Sequence, residues 1–393
     1  MGFVIKYSGI SLYWVLAESQ LSIYLGCQMR LFSEERGDEK MKVLHTADIH
    51  LREYEDERWK ALQKLIEIGK AEKVELFVIS GDLFDRGIDA ETLRPKIREI
   101  FSNTGFKIVL IPGNHDDESY KSGMYFGEDT IILNDLNEPF EYKDVRIWGL
   151  PFEPLEGEKV VEKLRSISND LTPDKKNILL YHGELLDAFF SRRDFGEEGE
   201  ERYMPVKLSY FKDLNLDYIL AGHFHSRFDT WKLENGGYFV YPGSPVSITK
   251  RETGRRKVNI FEIGQPPREH PLDTFHFEEV VIELDPFMGE NPVEIVKERL
   301  KASHPEASII LTVRGYINSE EIEMSESELV EQIKEVIKDK PVEEYLEFRD
   351  MYTILEDDLF KSFMSKLAET PFTEEKKKEL LDLTIQAMME ARL

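Results

Sequence analysis

The chain has 393 residues, too many for one ordinary hydrophobic core, so two or three domains are expected. A hydrophobic content of 41% supports globular packing, while 77 acidic against 51 basic side chains give a net charge of -26 and exclude a surface that binds nucleic acid by overall charge alone. The single cysteine, Cys27, excludes an intramolecular disulfide and makes a cytoplasmic setting the easier reading.

Residues 1–40 differ in composition from everything after them. Residues 8–27 are rich in Tyr, Leu, Ile and Ser, but Glu18 and Gln20 break the run of about 20 apolar residues that a membrane span requires, so no crossing is expected. Lys6 before this stretch and Gly26-Cys27 after it have the outline of a secretory or lipoprotein signal, yet the apolar part is broken and the charged start is thin. The segment is read as an N-terminal extension outside the core, with Met41 or Met29 as the start of the protein proper.

From Met41 to about Ile263, short apolar runs that read as buried strands alternate with helical stretches, the pattern of a layered α/β fold. Val43-Leu44 leads to Asp48-x-His50, and an apolar stripe at Trp59, Leu62, Leu65, Ile66 and Ile68 marks the helix that follows. Leu76 to Ile79 leads to Gly81-Asp82, and Ile108 to Ile111 to Gly113-Asn114-His115-Asp116. Ile178 to Leu180 leads to His182-Gly183, and Tyr218 to Leu220 to Gly222-His223-x-His225. Gly264 to Arg268, with two prolines, reads as a linker closing a domain over 41–265. A smaller α+β domain is expected over 275–350, with strands at Val280 to Leu284 and Ile309 to Val313 and helices at Val293 to Ala302 and Glu326 to Lys338. Residues 355–393 read as a helical hairpin. One stripe runs through Leu359, Phe360, Phe363, Met364 and Leu367, another through Leu380, Leu381, Thr384, Ile385, Met388 and Met389, and Thr373 caps the second helix. Such stripes pack on their own domain or seat a partner helix; Phe360, Phe363, Leu381, Ile385 and Met388 are the candidates for the second use.

The five motifs supply imidazole, carboxylate and amide oxygen without thiolate, a donor set suited to Mn2+ or Fe2+, with Zn2+ also able to use it. Asp48, His50, Asp82, Asn114, His182, His223 and His225 are enough for two ions, with Asp82 the natural bridge between the first and third motifs. A two-metal site of this kind would activate hydroxide against a phosphodiester. His115, next to Asn114 in an extended turn, should face the substrate and assist the leaving group, with Asp116 or Asp85 orienting its ring. Each motif alone is common. Five of the nine histidines falling directly after strands in one consistent order is not.

These residues resemble the calcineurin-like metallophosphoesterase superfamily from Asp48 to His225. Within it, Thr46 to Leu51, Gly81 to Asp85 and Tyr241-Pro242-Gly243-Ser244-Pro245 are similar to the SbcD and Mre-eleven type DNA repair nucleases. The resemblance implies a layered β-sandwich flanked by helices with a cap over the active site, and a manganese-dependent exonuclease and endonuclease acting at double-strand break ends. It implies one ion held by Asp48, His50, Asp82 and His225, a second by Asp82, Asn114, His182 and His223, and His115 in contact with phosphate. It also implies two partners: DNA, and a coiled-coil ATPase of SbcC or Rad-fifty type bound by the helical hairpin. The chain itself has no Gly-rich phosphate loop ending in Gly-Lys-Ser/Thr. Whether it pairs with itself is left open. Asp85 departs from the histidine that some archaeal relatives carry. Lys250, Arg251, Arg255, Arg256 and Lys257 form a basic cluster beside the Pro-Gly-Ser segment, with Arg192 and Arg193 as further candidates. Such a cluster is either a solvated face or a contact for DNA phosphates. The competing readings are a phosphatase or a small-molecule or cyclic-nucleotide phosphodiesterase of the same superfamily and, less favoured, a scaffold without catalysis.

Overall fold

Val, Ile and Leu runs too short for helices are what a sheet covered on both faces needs, and in this chain they become two such sheets. The computed structural model describes residues 6–7, 10–11, 40–88, 90–120, 125–188, 203–287 and 289–391. The chain divides into two units, Met1–Met41 and Lys42–Leu393. In the first, β1 (Lys6–Tyr7) and β2 (Ile10–Ser11) pair antiparallel, with Lys6 opposite Ser11.

The second unit begins with β3 (Lys42–Thr46), α1 (Glu57–Ala71), β4 (Leu76–Ser80), α2 (Ala90–Phe101), β5 (Lys107–Ile111), β6 (Thr130–Ile132), β7 (Phe140–Tyr142) and β8 (Val145–Leu150). It continues through α3 (Gly157–Ser166), β9 (Lys176–His182), β10 (Tyr218–Gly222), β11 (Asp229–Lys232), β12 (Tyr238–Tyr241), β13 (Lys257–Glu262) and β14 (Glu269–Pro271). One six-stranded sheet runs β14-β13-β3-β4-β5-β6 and the other β11-β12-β10-β9-β8-β7. Strands β3 to β6 are parallel, as are β8, β9, β10 and β12; antiparallel β11 and β7 close both edges of the second sheet, and antiparallel pairing at β13 and β14 closes one edge of the first. The sheets face each other across Ser80, whose hydroxyl on β4 donates to the Leu220 carbonyl on β10 at 2.8 Å. Asp56 caps α1 by accepting from the Trp59 amide at 2.8 Å, and the expected stripe buries Trp59, Leu62, Leu65 and Ile66 against the outer face of the first sheet.

Gly264 to Arg268 is a hairpin loop and not a linker. β13 and β14 pair antiparallel with Asn259 opposite Glu269, so the first sheet extends to Pro271 and Leu272 is buried in its core. The prolines lie in the loop between β13 and the edge strand β14, where a sheet tolerates them.

Beyond it come β15 (His276–Leu284), α4 (Pro292–Ala302), β16 (Ala307–Ile317), α5 (Glu326–Ile337) and β17 (Val342–Asp350). All three strands are parallel, in the order β15-β16-β17. Asn291 with Pro292 starts α4, and a capping box of Ser325 with Glu328 starts α5, so both helices begin where their donors are satisfied. Val296, Leu311, Val313, Leu329 and Ile333 form the core of this part. The chain ends in α6 (Tyr352–Leu355), α7 (Asp358–Ala368) and α8 (Glu374–Glu390), with Met351, Ile354, Phe360 and Ile385 buried among them. No helix among the described residues is long and apolar enough to cross a membrane.

Candidate metal centre

Parallel strands that share a direction deliver their following loops to one edge. The motifs after β3, β4, β5, β9 and β10 are tied together there by backbone hydrogen bonds. The Asp48 amide donates to the Gly81 carbonyl at 3.1 Å, and the His50 amide to the Asp82 carbonyl at 2.9 Å. The His223 amide donates to both Asp48 carboxylate oxygens at 3.0 Å, and the His115 amide to Asp82 Oδ1 at 2.9 Å. Two of the motif glycines are required by close approach. A Cβ on Gly113 would fall within the Asp82 carboxylate, and one on Gly81, whose φ is +95°, would fall within the His182 ring.

Backbone strain gathers at the same loops. Asp48 (φ 55°), His50 (52°), Asp82 (52°) and His223 (98°) all occupy the left-handed region that residues with a Cβ rarely adopt. A neighbourhood that held these residues only for packing would have no use for that conformation at four positions.

Three overlapping groups have ligand atoms within 4.8 Å of one another: Asp48, His50 and His225; His50, Asp82 and His115; Asp48, Asp82 and His182. His50 Nε2 lies 3.3 Å from His225 Nε2 and 3.6 Å from Asp82 Oδ2. His182 Nε2 lies 3.4 Å from Asp82 Oδ2 and 2.8 Å from Asn114 Oδ1, while its Nδ1 faces the Ser80 carbonyl at 2.8 Å. His223 joins through its amide, and its ring lies 5.5 Å from that of His182 and 4.8 Å from that of Tyr203. Asp82 Oδ2 is buried and accepts no hydrogen bond among the described residues, which is costly for a carboxylate oxygen unless a cation faces it. Burial and converging oxygen and imidazole donors fit divalent metal. The electrostatics agree. Burial alone would raise Asp82, but the His182 and His50 rings outweigh it and hold the carboxyl well below the usual range. Burial alone would lower His182, yet the Asp82 and Asp48 charges hold it up at about 9. Asp48, enclosed and beside Asp82, is raised by burial.

His115 differs from the other motif histidines. Its side chain keeps 14% of its surface exposed, and Nδ1 faces Asp85 Oδ1 at 3.1 Å. Asp85 is itself gripped by Arg58 at 2.8 Å and by Arg52, and against its burial the His115 and His50 rings, with Arg58, hold it ionised. Asp116, expected beside His115 as a catalytic residue, is instead a brace. One of its oxygens accepts from the Gly113 amide at 2.7 Å, and the other from the Phe84 amide at 3.1 Å and the Tyr120 hydroxyl at 2.9 Å. With both oxygens so committed it holds the third motif against the second, and burial with the Asp82 charge pushes it up to about 7.

The basic cluster is likewise redistributed. Arg256, expected to reach DNA, is buried and donates inward to the carbonyls of Ser244 at 3.0 Å and Ser226 at 3.1 Å and to that of His225. Lys250 pairs with Glu343, Arg255 with Asp273 and Lys257 with Glu269, and all three cations are at least partly solvent-accessible. Arg251 is exposed. Arg192 and Arg193 lie outside the described residues. On the hairpin, Phe360 and Ile385 are buried in its own core, and Phe363, Leu381 and Met388 are half-buried. Among its described residues, the exposed large apolar side chains are Leu359, Phe372 and Leu383.

Glu252 and Arg58 escaped the sequence reading. Glu252 is fully buried, with Oε1 at 3.3 Å from His225 Nδ1, and Arg58 donates to the His50 carbonyl at 2.6 Å. The available signal was position alone: Glu252 stands seven residues past the Pro-Gly-Ser-Pro segment, among cations that suggested a surface.

Comparison with known proteins agrees with this geometry. The calcineurin-like phosphoesterase family profile matches residues 41–227. The chain is 26% identical over 302 residues to the SbcD subunit of the SbcCD nuclease of Staphylococcus saprophyticus, covering 68% of this chain and 76% of that protein. It is 25% identical over 235 residues to "DNA double-strand break repair protein Mre11" of Saccharolobus solfataricus, covering 54% of this chain and 56% of that one. A protein of the same name from Methanopyrus kandleri is 25% identical over 255 residues, covering 55% and 52% respectively, so the chain spans about half the length of each archaeal relative. With their metal-suited loops set at the strand ends, residues 41–227 match the calcineurin-like phosphoesterase family, and the chain is a metal-dependent hydrolase similar to SbcD and Mre11.

Proposed function

We propose that the chain is a DNA nuclease that uses two divalent cations, Mn2+ above all, to hydrolyse phosphodiesters at DNA ends in double-strand break repair, together with a coiled-coil ATPase of SbcC or Rad-fifty type. The observation that carries this reading is the set of overlapping donor groups sharing Asp48, His50 and Asp82, with His115 at its open side. Asp48, His50, Asp82 and His225 would hold one ion and Asp82, Asn114, His182 and His223 the other. What such a pair supplies is neutralisation of the phosphate charge and water of lowered pKa.

The remaining work falls to side chains. Asp85 accepts from His115 Nδ1, so the proton on Nε2 is turned toward the open side, where it can pass to the departing oxygen. Arg58 keeps Asp85 ionised and Arg52 grips it as well, which holds the carboxylate in place to orient the ring. Asp116 fixes the loop that carries His115. The hairpin offers Leu359, Phe372 and Leu383 outward as contacts for the ATPase partner.

The test uses end-labelled duplex DNA with Mn2+, the parent chain beside His115→Asn, and a simple aryl phosphate diester as competitor substrate. His115→Asn should fold and take up Mn2+ as the parent does while turnover drops roughly a hundred- to ten-thousand-fold, and chelation should abolish parent activity. Equal degradation of DNA by parent and variant would remove His115 from the mechanism. Hydrolysis of the aryl diester with DNA left intact would make the chain a small-molecule phosphodiesterase.

A further inference from the structure

We propose that Glu252 is a positioning residue for His225, holding the imidazole with Nδ1 protonated so that Nε2 presents its lone pair to Asp48 and His50. This rests on the reading of Asp48, His50 and His225 as a cation site.

The two oxygens of Glu252 have separate duties. Oε2 accepts from the Ile248 amide at 2.8 Å and lies 3.3 Å from Ser244 Oγ, which closes the loop that follows the Pro-Gly-Ser segment. Oε1 lies 3.3 Å from His225 Nδ1 and 3.3 Å from Thr249 Oγ1. A carboxylate can only accept, so the ring nitrogen opposite Oε1 must be the donor, and in the neutral ring, the form a cation takes, Nε2 is left with its lone pair. Nε2 is the atom that lies 3.3 Å from His50 Nε2 and 3.9 Å from Asp48 Oδ1. Leaving a carboxylate in a site with no solvent access is costly unless it is matched, and Arg256 matches it. The guanidinium donates to the Glu252 carbonyl at 3.4 Å and to Ser244 Oγ at 3.1 Å while gripping the carbonyls of His225, Ser226 and Ser244. Glu252 and Arg256 together therefore hold the fifth motif from behind. His182 is treated differently: its Nδ1 faces the neutral carbonyl of Ser80. A charged acceptor makes the opposite ring nitrogen the stronger donor to metal, so the site containing His225 should depend on its partner more than the site containing His182 does.

Glu252→Gln separates this role from loop closure. The Ile248 amide needs an oxygen, which turns the new NH2 toward His225 and forces the ring into the other tautomer. Mn2+ is titrated calorimetrically into the metal-free full-length parent and variant, with thermal melts of both in the metal-free state. The expected result is two binding events in the parent, one of them weakened ten- to a hundredfold in the variant with the other changed less than threefold, and a metal-free melting temperature within a few degrees of the parent. Identical isotherms for parent and variant would overturn the proposal while leaving the cation site intact. A parent that binds no divalent ion would overturn the site and the proposal together. If Glu252→Gln does not fold, the parent labelled with 15N in its histidine rings and loaded with Zn2+ still decides the question, with His225 assigned by its absence in His225→Gln. A protonated Nδ1 supports the proposal and a protonated Nε2 overturns it.

Discussion

His45 shows what burial does to a histidine that holds no ligand position. It sits on β3 without solvent access, and its Nε2 lies 3.1 Å from the Ser80 hydroxyl. That hydroxyl spends its one proton on the Leu220 carbonyl, so it accepts from the ring, and His45 carries its proton on Nε2. Burial lowers its pKa from the ordinary 6.5 to about 3, against a smaller raising effect of the Ala221 backbone. A base whose folded-state pKa is lowered binds fewer protons than the unfolded chain does between those two values. Its stabilising contribution is full above pH 6.5 and drains away as pH falls toward 3. The slope is about 1.4 kcal/mol per pH unit, so His45 should cost about 2 kcal/mol between pH 6.5 and pH 5. Denaturant melts of the metal-free protein at the two pH values should show this loss, and His45→Gln should lose less over the same interval. An equal loss in the variant would assign the acid sensitivity to other groups.

At the scale of elements, the loops after β4 and β5 interlock so closely that a single methyl should separate them. Gly113→Ala places a Cβ inside the Asp82 carboxylate, and whichever group yields, the hydrogen bond from the His115 amide to Asp82 Oδ1 is lost. The expected cost is about 1–3 kcal/mol of stability, with Mn2+ uptake impaired beyond what unfolding explains. Thermal denaturation and metal titration of the variant check both, and wild-type uptake would show that the loops adapt. The same tightness explains what could be read in advance. Strands buried on both faces must be continuous apolar runs, so β4, β5, β9 and β10 stood out, and the ligand motifs at their ends stood out with them. β17 did not, because Glu343, Glu344, Glu347 and Arg349 intersperse its apolar positions and only Phe348 is fully buried. The prolines at 266 and 267 suggested a boundary, since a sequence does not say whether chain that stops pairing will pair again after a turn. Charged residues misled most. Asp116, Glu252 and Arg256 are buried braces, and composition places such residues at the surface, because burial of a charge depends on partners that are distant in the chain.

For the molecule as a whole, the charge balance is decided by these pairings. With a net charge of -26 and Lys250, Arg255 and Lys257 each matched by a carboxylate, the described surface carries little unbalanced positive charge toward a phosphate backbone. Each phosphate contact contributes roughly 0.9 to the slope of log affinity against log salt on duplex DNA. The isolated chain should therefore bind duplex DNA weakly, with a slope of magnitude below about 2, far from the value near 10 of a strongly basic binder. Fluorescence anisotropy across a salt series measures it. A steep slope would mean that cations outside these pairs make the contact, and a steepening on addition of the proposed ATPase partner would locate the attraction there.

Asp48, His50, Asp82 and His223 leave their strands in a conformation that glycine would adopt freely. Durability and reactivity thus pull against each other at the same four positions. Any lineage or screen rewarded only for heat resistance would drift toward glycine there and yield a sturdier, inert relative with the same silhouette. Loss of these side chains in a distant homologue would then mark relaxed demand for chemistry and not a broken fold.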